Sequence, residues 1–300
     1  MIPVLFGISI VTFLMIHLIP GDPATILLGT RATPEMIERL TVRWGLDKPL
    51  YEQYMLFLKN LFHGHLGDSV VTQATVNQLI GERIGTTFFL SIYASFISIV
   101  ITVPVALWSA LKKDSMIDNG ARIFSITALT MPSFWLAILF MMLFSIKLKW
   151  FPVSGYGEGF FGHLHYLFLP AFTIAIGQSS IMINPLRNKL ISVLNSEYIE
   201  AARARGLTEV RVVVKHVLRN ALSVTITLLG VNMGWLLSGS VIVETVYSIP
   251  GLGQLLVNSI NSRDYAVVQG LVLVFGLLVI VVNFLTDLCY SLLDPRVDLE

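Results

Sequence analysis

Residues 196–222 read SEYIEAARARGLTEVRVVVKHVLRNAL, the most polar and most basic stretch of an otherwise apolar chain, lying between two long apolar runs. Its pattern is helix, glycine, helix. Ser196 is placed to cap the first helix, with Glu197 and Glu200 in the first turn, where the positive end of the helix dipole favours carboxylates. Ala201, Ala202 and Ala204 give that helix high propensity and one very small face. Gly206 supplies the left-handed residue that ends a helix, and Thr208 followed by Glu209 reads as a fresh N-cap. Lys215 and Arg219 fall near the C-terminal end of the second helix, as the dipole prefers. The pattern predicts a short, rigid, cationic helical hairpin fixed between two membrane spans. An amphipathic linker lying on the membrane surface is the alternative, since Arg203, Arg205 and Arg211 suit that as well.

The composition around this stretch excludes a soluble domain: 55% of the residues are hydrophobic and only 13% are charged. A spanning helix needs about 20 apolar residues. Uncharged runs of that order occur at 1–21, 84–111, 123–146, 159–186, 220–243 and 265–286. Six spans are therefore expected, all helical, because lipid cannot satisfy free backbone groups. The net charge of +1 identifies no partner, and nothing points to nucleic acid. The distribution of charge gives the orientation. Lys112, Lys113 and Arg122 follow the second run; Arg187, Lys189, Arg203, Arg205, Arg211, Lys215 and Arg219 follow the fourth; Arg296 lies in the tail. The opposite short loops hold only Lys147, Lys149 and Arg263. That bias places both termini and the hairpin in the cytoplasm. The expected fold is an all-α integral membrane protein, N-in and C-in. Its first span is 1–19, a helical external segment runs over 20–85, and a core over 86–300 has spans near 86–111, 121–147, 166–187, 221–247 and 266–291.

The first run lacks a basic leader and a small-residue cleavage site, so it reads as a retained span. Thr33-Pro34-Glu35 is a good helix start in the external segment, and a second amphipathic helix uses Leu50, Tyr54, Phe57, Leu58 and Leu61. Pro132 predicts a kink in mid-span, with Pro170, Gly177 and Asn184-Pro185 as further breaks in the fourth run. Gly230, Gly234 and Ser238 form a small-residue stripe at four-residue spacing. It serves either a contact within the chain or one with a second subunit. Asn232 and Trp235 turn faces other than that stripe, and Asn232 is positioned to line a wet path. Glu244 is read as a structural group at the outer gate rather than a substrate contact, and Asp287 as a hydrogen-bond anchor at an inner end. Asn184 completes the candidate path residues. His63 with His65, and His163 with His165, are spaced wrongly for a shared metal, so no metal site is expected. Cys289 is the only cysteine and reads as a small buried hydrophobe. A phosphate loop and the common hydrolase motifs are missing, so neither catalysis nor a bound cofactor is expected of this chain.

Glu200-Ala201-Ala202, followed after three residues by Gly206, resembles the EAA loop of bacterial ABC-type import permeases. His216-Val217-Leu218-Arg219-Asn220-Ala221 is similar to the version found in the dipeptide/oligopeptide/nickel family, in its first, B-type permease. Gly21-Asp22-Pro23, Gly67-Asp68-Ser69, Met131-Pro132-Ser133-Phe134-Trp135, Glu244-Thr245 through Pro250-Gly251-Leu252-Gly253, and Arg263-Asp264-Tyr265 resemble that family's motifs in the family's order. Val224 departs from it, standing close to where many members have proline. The resemblance implies a coupling role for Glu200, Ala201, Ala202, Arg205, Gly206, Leu207, His216 and Arg219 against an ATPase subunit. It implies as partners two ATPase subunits that bind ATP and Mg, a second related permease forming a heterodimer, an extracytoplasmic substrate-binding protein, and the lipid of the bacterial inner membrane. Peptides are the expected cargo, with nickel chelates or glutathione as alternatives. Other classes remain in view: an ion-coupled transporter, which would call for charged or unwound mid-span sites; a membrane-embedded enzyme, against which the missing catalytic constellation argues; and a structural membrane subunit, which would leave the hairpin without a purpose.

Overall fold

Where the sequence is apolar and uninterrupted, the chain is helical. A computed structural model of the protein describes residues 2–18, 23–28, 33–44, 47–69, 71–218, 225, 228, 230 and 239–293, and among them every extended regular element is a helix. In chain order these are α1 (Ile2–His17), α2 (Pro23–Leu28), α3 (Pro34–Trp44), α4 (Leu50–Phe62), α5 (Val76–Leu111), α6 (Met116–Thr130), α7 (Ser133–Phe140) and α8 (Gly159–Leu194). They continue as α9 (Glu197–Ala204), α10 (Glu209–Arg211), a stretch described over 239–246 (α11), α12 (Leu252–Asn261) and α13 (Tyr265–Leu293). Wider π-type turns extend α7 over Met141–Lys147 and α10 over Val212–Val217.

Among the described residues α5, α8 and α13 are long and apolar enough to cross a membrane. Helices α5 and α8 have 36 residues each. At 1.5 Å per residue that is about 54 Å, well beyond the ~30 Å of hydrocarbon, so both run on past the bilayer. The fourth candidate, α6 with α7, bends by 104°. The sequence predicted a kink there; the structure has a complete break. Met131, directly before Pro132, takes extended angles (φ −78°, ψ 124°), and Pro132 opens a new helix. The ring of a proline disfavours helical angles in the residue before it, and at Met131 that preference is realised as a stop. Pro170 and Pro185, expected as breaks, both sit inside the continuous α8. Neighbouring helices in a bundle can satisfy the carbonyls they free.

The chain divides into two compact units. One joins Met1–Thr87 with Pro250–Ile280, so most of α13 goes with the N-terminal helices. Its interior is Val76, Leu79, Ile80, Leu252, Ala266, Val267 and Leu271. Gly270 is needed there, because a Cβ would lie 2.5 Å from Val76. Gln269 donates its amide to the Thr12 carbonyl at 3.2 Å, tying α13 to α1. Helix α3 begins at the predicted place, with the Thr33 hydroxyl accepting from the Met36 N–H at 3.3 Å.

The other unit joins Phe88–Ile249 with Val281–Glu300. Its main core packs Leu90, Ala94 and Ile97 of α5 against Leu167, Ile174 and Ala175 of α8, with Ala137, Val243, Tyr247 and Ile249. The buried Tyr247 hydroxyl donates to the Ala137 carbonyl at 3.1 Å, so its ring can be interior without stranding a polar group. A second apolar cluster, at the far ends of α5 and α8, carries the hairpin.

Candidate functional site

The hairpin is built as the sequence implied, with differences in its caps. Helix α9 ends at Arg205, and Gly206 takes φ +77°. The Gly206 N–H donates to the Arg203 carbonyl at 2.9 Å and the Leu207 N–H to that of Ala202 at 3.4 Å. This pair of bonds is the Schellman arrangement, which needs a left-handed residue where Gly206 stands. Ser196 does not cap α9: its hydroxyl turns back to the Val193 carbonyl at 2.7 Å. Thr208 precedes α10 with extended angles, and its side chain makes no cap bond either. What closes the hairpin is contact between its limbs. Arg203 Nε donates to Glu209 Oε1 at 2.8 Å, and the Tyr198 hydroxyl is hydrogen-bonded to His216 Nδ1.

The two faces of the hairpin differ. Ile199, Ala202, Val212 and Val217 are buried against Ala106 and Ala110 of α5 and Leu186 and Leu190 of α8, with Leu207 half-buried at the edge. Glu200, Ala201, Arg203, Ala204, Arg205, Gly206, Val210 and Val214 are exposed. The triplet Glu200-Ala201-Ala202 is therefore divided. Glu200 and Ala201 point outward, whereas Ala202, expected among the contact residues, is part of the seat. His216 is half-buried beside Tyr198, and Arg219 lies outside the described residues.

Beside that seat is a charge cluster that no motif signalled. Asp118, fully buried near the start of α6, accepts from Ser109 Oγ at 2.5 Å, from the Asp114 N–H at 3.0 Å and from Arg122 at 3.1 Å. The buried Arg187 of α8 grips it with two bonds, Nε to Oδ1 and Nη2 to Oδ2, both 2.5 Å. A two-pronged guanidinium–carboxylate pair is strong and directional, and the extra donors offset the cost of burying the charges. It joins α5, α6 and α8 next to Leu186 and Leu190, on which the hairpin rests. Arg187, which by sequence alone falls among the loop cations, is an interior one.

The other candidate residues are scattered. Glu244 is completely buried in α11, and Asn184 is half-buried in α8. Gly230 meets Thr286 of α13, where a Cβ would collide, so for this member of the stripe the contact is within the chain. Gly234, Ser238, Asn232 and Trp235 lie outside the described residues, as does the side chain of Asp287. Among the described residues no group of His, Cys, Asp and Glu is arranged to hold a metal. Two family-like motifs from opposite ends of the sequence do meet: the Ser69 hydroxyl donates to Asp264, joining Gly67-Asp68-Ser69 to Arg263-Asp264-Tyr265.

Comparison with known proteins bears directly on these features. A profile of the family described as binding-protein-dependent transport system inner membrane component matches residues 102–299, and one of the N-terminal part of such membrane components matches residues 1–91. A putative peptide transport system permease protein of Brucella abortus (strain 2308) is 40% identical over 299 residues, covering 99% of this chain and 95% of its own length. The oligopeptide transport system permease protein AppB of Bacillus subtilis (strain 168) is 36% identical over 303 residues, covering 99% and 96%. A solved structure of the MetNI methionine ABC transporter in an inward-facing conformation aligns with a TM-score of 0.57 at 18% identity, over 72% of this chain and 97% of the other, a likeness of fold.

Proposed function

We propose that this chain, which belongs to the family of binding-protein-dependent transport system inner membrane components, is the membrane-spanning permease subunit of an ATP-driven importer of di- and oligopeptides. It is a multi-pass protein of the bacterial inner membrane, and a transport subunit rather than an enzyme. The observation that carries the mechanism is the two-faced hairpin: a small, exposed outer surface on a base anchored in the chain's own core. A knob that enters a socket needs little bulk outside and little give beneath, and both conditions are met.

In this reading the chain has six spans with both termini in the cytoplasm, as the Lys and Arg bias supports. The hairpin between spans four and five docks into an ATPase subunit through Glu200, Ala201, Arg205 and Gly206. Two such subunits bind ATP and Mg, a second related permease completes the pathway, and a binding protein delivers cargo from outside. Nucleotide acts only through its different affinity for the inward-open and outward-open states, so closing the ATPases must move the hairpins. Glu244 is assigned to the outer gate, and Asn184, Asn232, Trp235 and Asp287 to the pathway.

The test is reconstitution with the neighbouring subunits and measurement of both ATP hydrolysis and uptake. Gly206→Arg and Glu200→Lys are expected to leave hydrolysis running while uptake falls by about tenfold or more. Undiminished uptake in both variants would remove the hairpin from the mechanism. Labelled dipeptide, nickel chelate and glutathione, compared in a deletion strain, decide the cargo, with peptide expected to be taken up.

A further inference from the structure

Helix α4 belongs to the segment that the sequence assigns to the outside, yet it packs against α1. The Tyr54 hydroxyl is 2.7 Å from Ser9 Oγ, and His17 Nε2 is 2.9 Å from Gln53 Oε1. The Phe13 ring packs on Tyr54 and Phe57 with centroids 5.3 and 5.8 Å apart. Ser9 and His17 are separated by about 12 Å of helix, so these contacts extend from the end of α1 toward the middle of its apolar run. A helix held there is at bilayer depth if α1 crosses the membrane.

The side chains of α4 sort into three arcs. Gln53, Tyr54, Phe57 and Leu61 share the side toward α1, all buried or half-buried. Tyr51, Met55 and Phe62 fall within about 40° of one another on a 3.6-residue helix. They are 68%, 64% and 86% exposed. Glu52, Lys59 and Asn60 occupy the remaining arc, where Lys48 lies 3.8 Å from Glu52; half-buried Leu56 is the one apolar member there. A helix in water needs two faces, one for the core and one for solvent. Three arcs, with an aromatic and thioether stripe between the protein side and the charged side, are what a helix lying in a membrane interface needs.

We infer that α4 is an in-plane membrane helix that sets Tyr51, Met55 and Phe62 into the lipid of the outer leaflet, with Lys59 and Glu52 toward water. The inference deepens the permease reading and rests on α1 being a span. It makes this part of the segment between the first two spans a float at the membrane surface rather than a free extracytoplasmic lobe.

The test uses the full transporter, assembled with its neighbouring subunits in phosphatidylethanolamine/phosphatidylglycerol vesicles, in a Cys289→Ser background. Single substitutions Met55→Cys, Phe62→Cys, Lys59→Cys and Val11→Cys carry a nitroxide, and its collisions with oxygen and with a water-soluble nickel chelate are compared. Labels at 55 and 62 are expected to favour oxygen, as does the label at 11 on the exposed side of α1, while that at 59 favours the chelate. Chelate-dominated collisions at 55 and 62, or shielding from both reagents by a covering protein, would overturn the inference. ATP-driven peptide uptake is measured on the same vesicles. Uptake with wet labels defeats the lipid contact and spares the permease reading; oxygen-rich labels without uptake do the reverse.

Discussion

Asp118 and Asp264 are buried carboxylates, one in each compact unit, and they are held in opposite ways. Asp118 is saturated: a hydroxyl, a backbone N–H and two guanidinium groups surround both its oxygens. Asp264 accepts from Ser69 alone, and its Oδ1 has no hydrogen-bond partner among the described residues. The second is tolerable because of where it stands. It immediately precedes α13, whose Val268 N–H donates to the Asp264 carbonyl at 3.1 Å, and the positive end of that helix favours the charge. Asp118 also sits in a first helical turn but has been given cations besides. The difference teaches what each is for: Asp118 with Arg187 pins three helices beneath the hairpin, while Asp264 with Ser69 ties one turn to one helix end.

The contrast is open to attack in order of expected size. Asp118→Ala leaves Arg187 buried without its counter-ion and is expected to cost about 3–5 kcal/mol. Thermal unfolding of the purified protein in detergent would show it, and Asp118→Asn combined with Arg187→Gln should be milder than either single change. A loss under about 1 kcal/mol for Asp118→Ala would mean the clamp adds nothing beyond an exposed ion pair. Ser69→Ala comes next, at about 1–3 kcal/mol, because it strips the last partner from a buried acceptor. Asp264→Asn keeps an oxygen for Ser69 and removes the charge, so it should stay within about 1 kcal/mol. If that substitution proved as harmful as Asp118→Ala, the two sites would not differ in kind.

The smallest effects concern how helices end. Gly206, Ser248 and Arg263 all have positive φ, at +77°, +49° and +56°. Each is followed by the same closing bond: Leu207 to Ala202, Ile249 to Glu244 at 2.8 Å, and Asp264 to Ser259 at 2.8 Å. The hairpin uses glycine for it, as does the end of α4, where Gly64 has φ +73° and the His65 N–H donates to the Asn60 carbonyl at 2.9 Å; Ser248 and Arg263 do without. Gly206→Ala is expected to lose about 1 kcal/mol, and Ser248→Gly to gain less than that, since the relieved strain is partly offset by glycine's greater freedom when unfolded. A shift of melting temperature in the same direction for both would refute this account of the turns.

Much of this was legible from residue order. Apolar runs, the helix–glycine–helix pattern, the left-handed Gly206 and the helix start at Thr33 all follow from local preferences, and the structure has them. Several readings failed for one shared reason. Ser196 and Thr208 have the right type and position for N-caps, but Ser196 finds another acceptor in Val193. Ala202 looks equivalent to Ala201 in a list of letters; only the side of α9 it occupies separates seat from surface. Pro132 breaks its helix and Pro185 does not, although the same ring is present in both. Arg187 was counted with the loop cations because its partner, Asp118, is 69 residues away.

What the sequence determined alone is therefore whatever depends on neighbours in the chain: apolar length, the helix periods, the hairpin's grammar and the motifs that mark its family. Tertiary structure decided which polar groups are interior and which alanine faces out. It also decided which proline is tolerated, and that α4 has a third face. Those outcomes depend on partners brought together across the chain, where burying an ion or a hydroxyl is tolerable only if its complement arrives too.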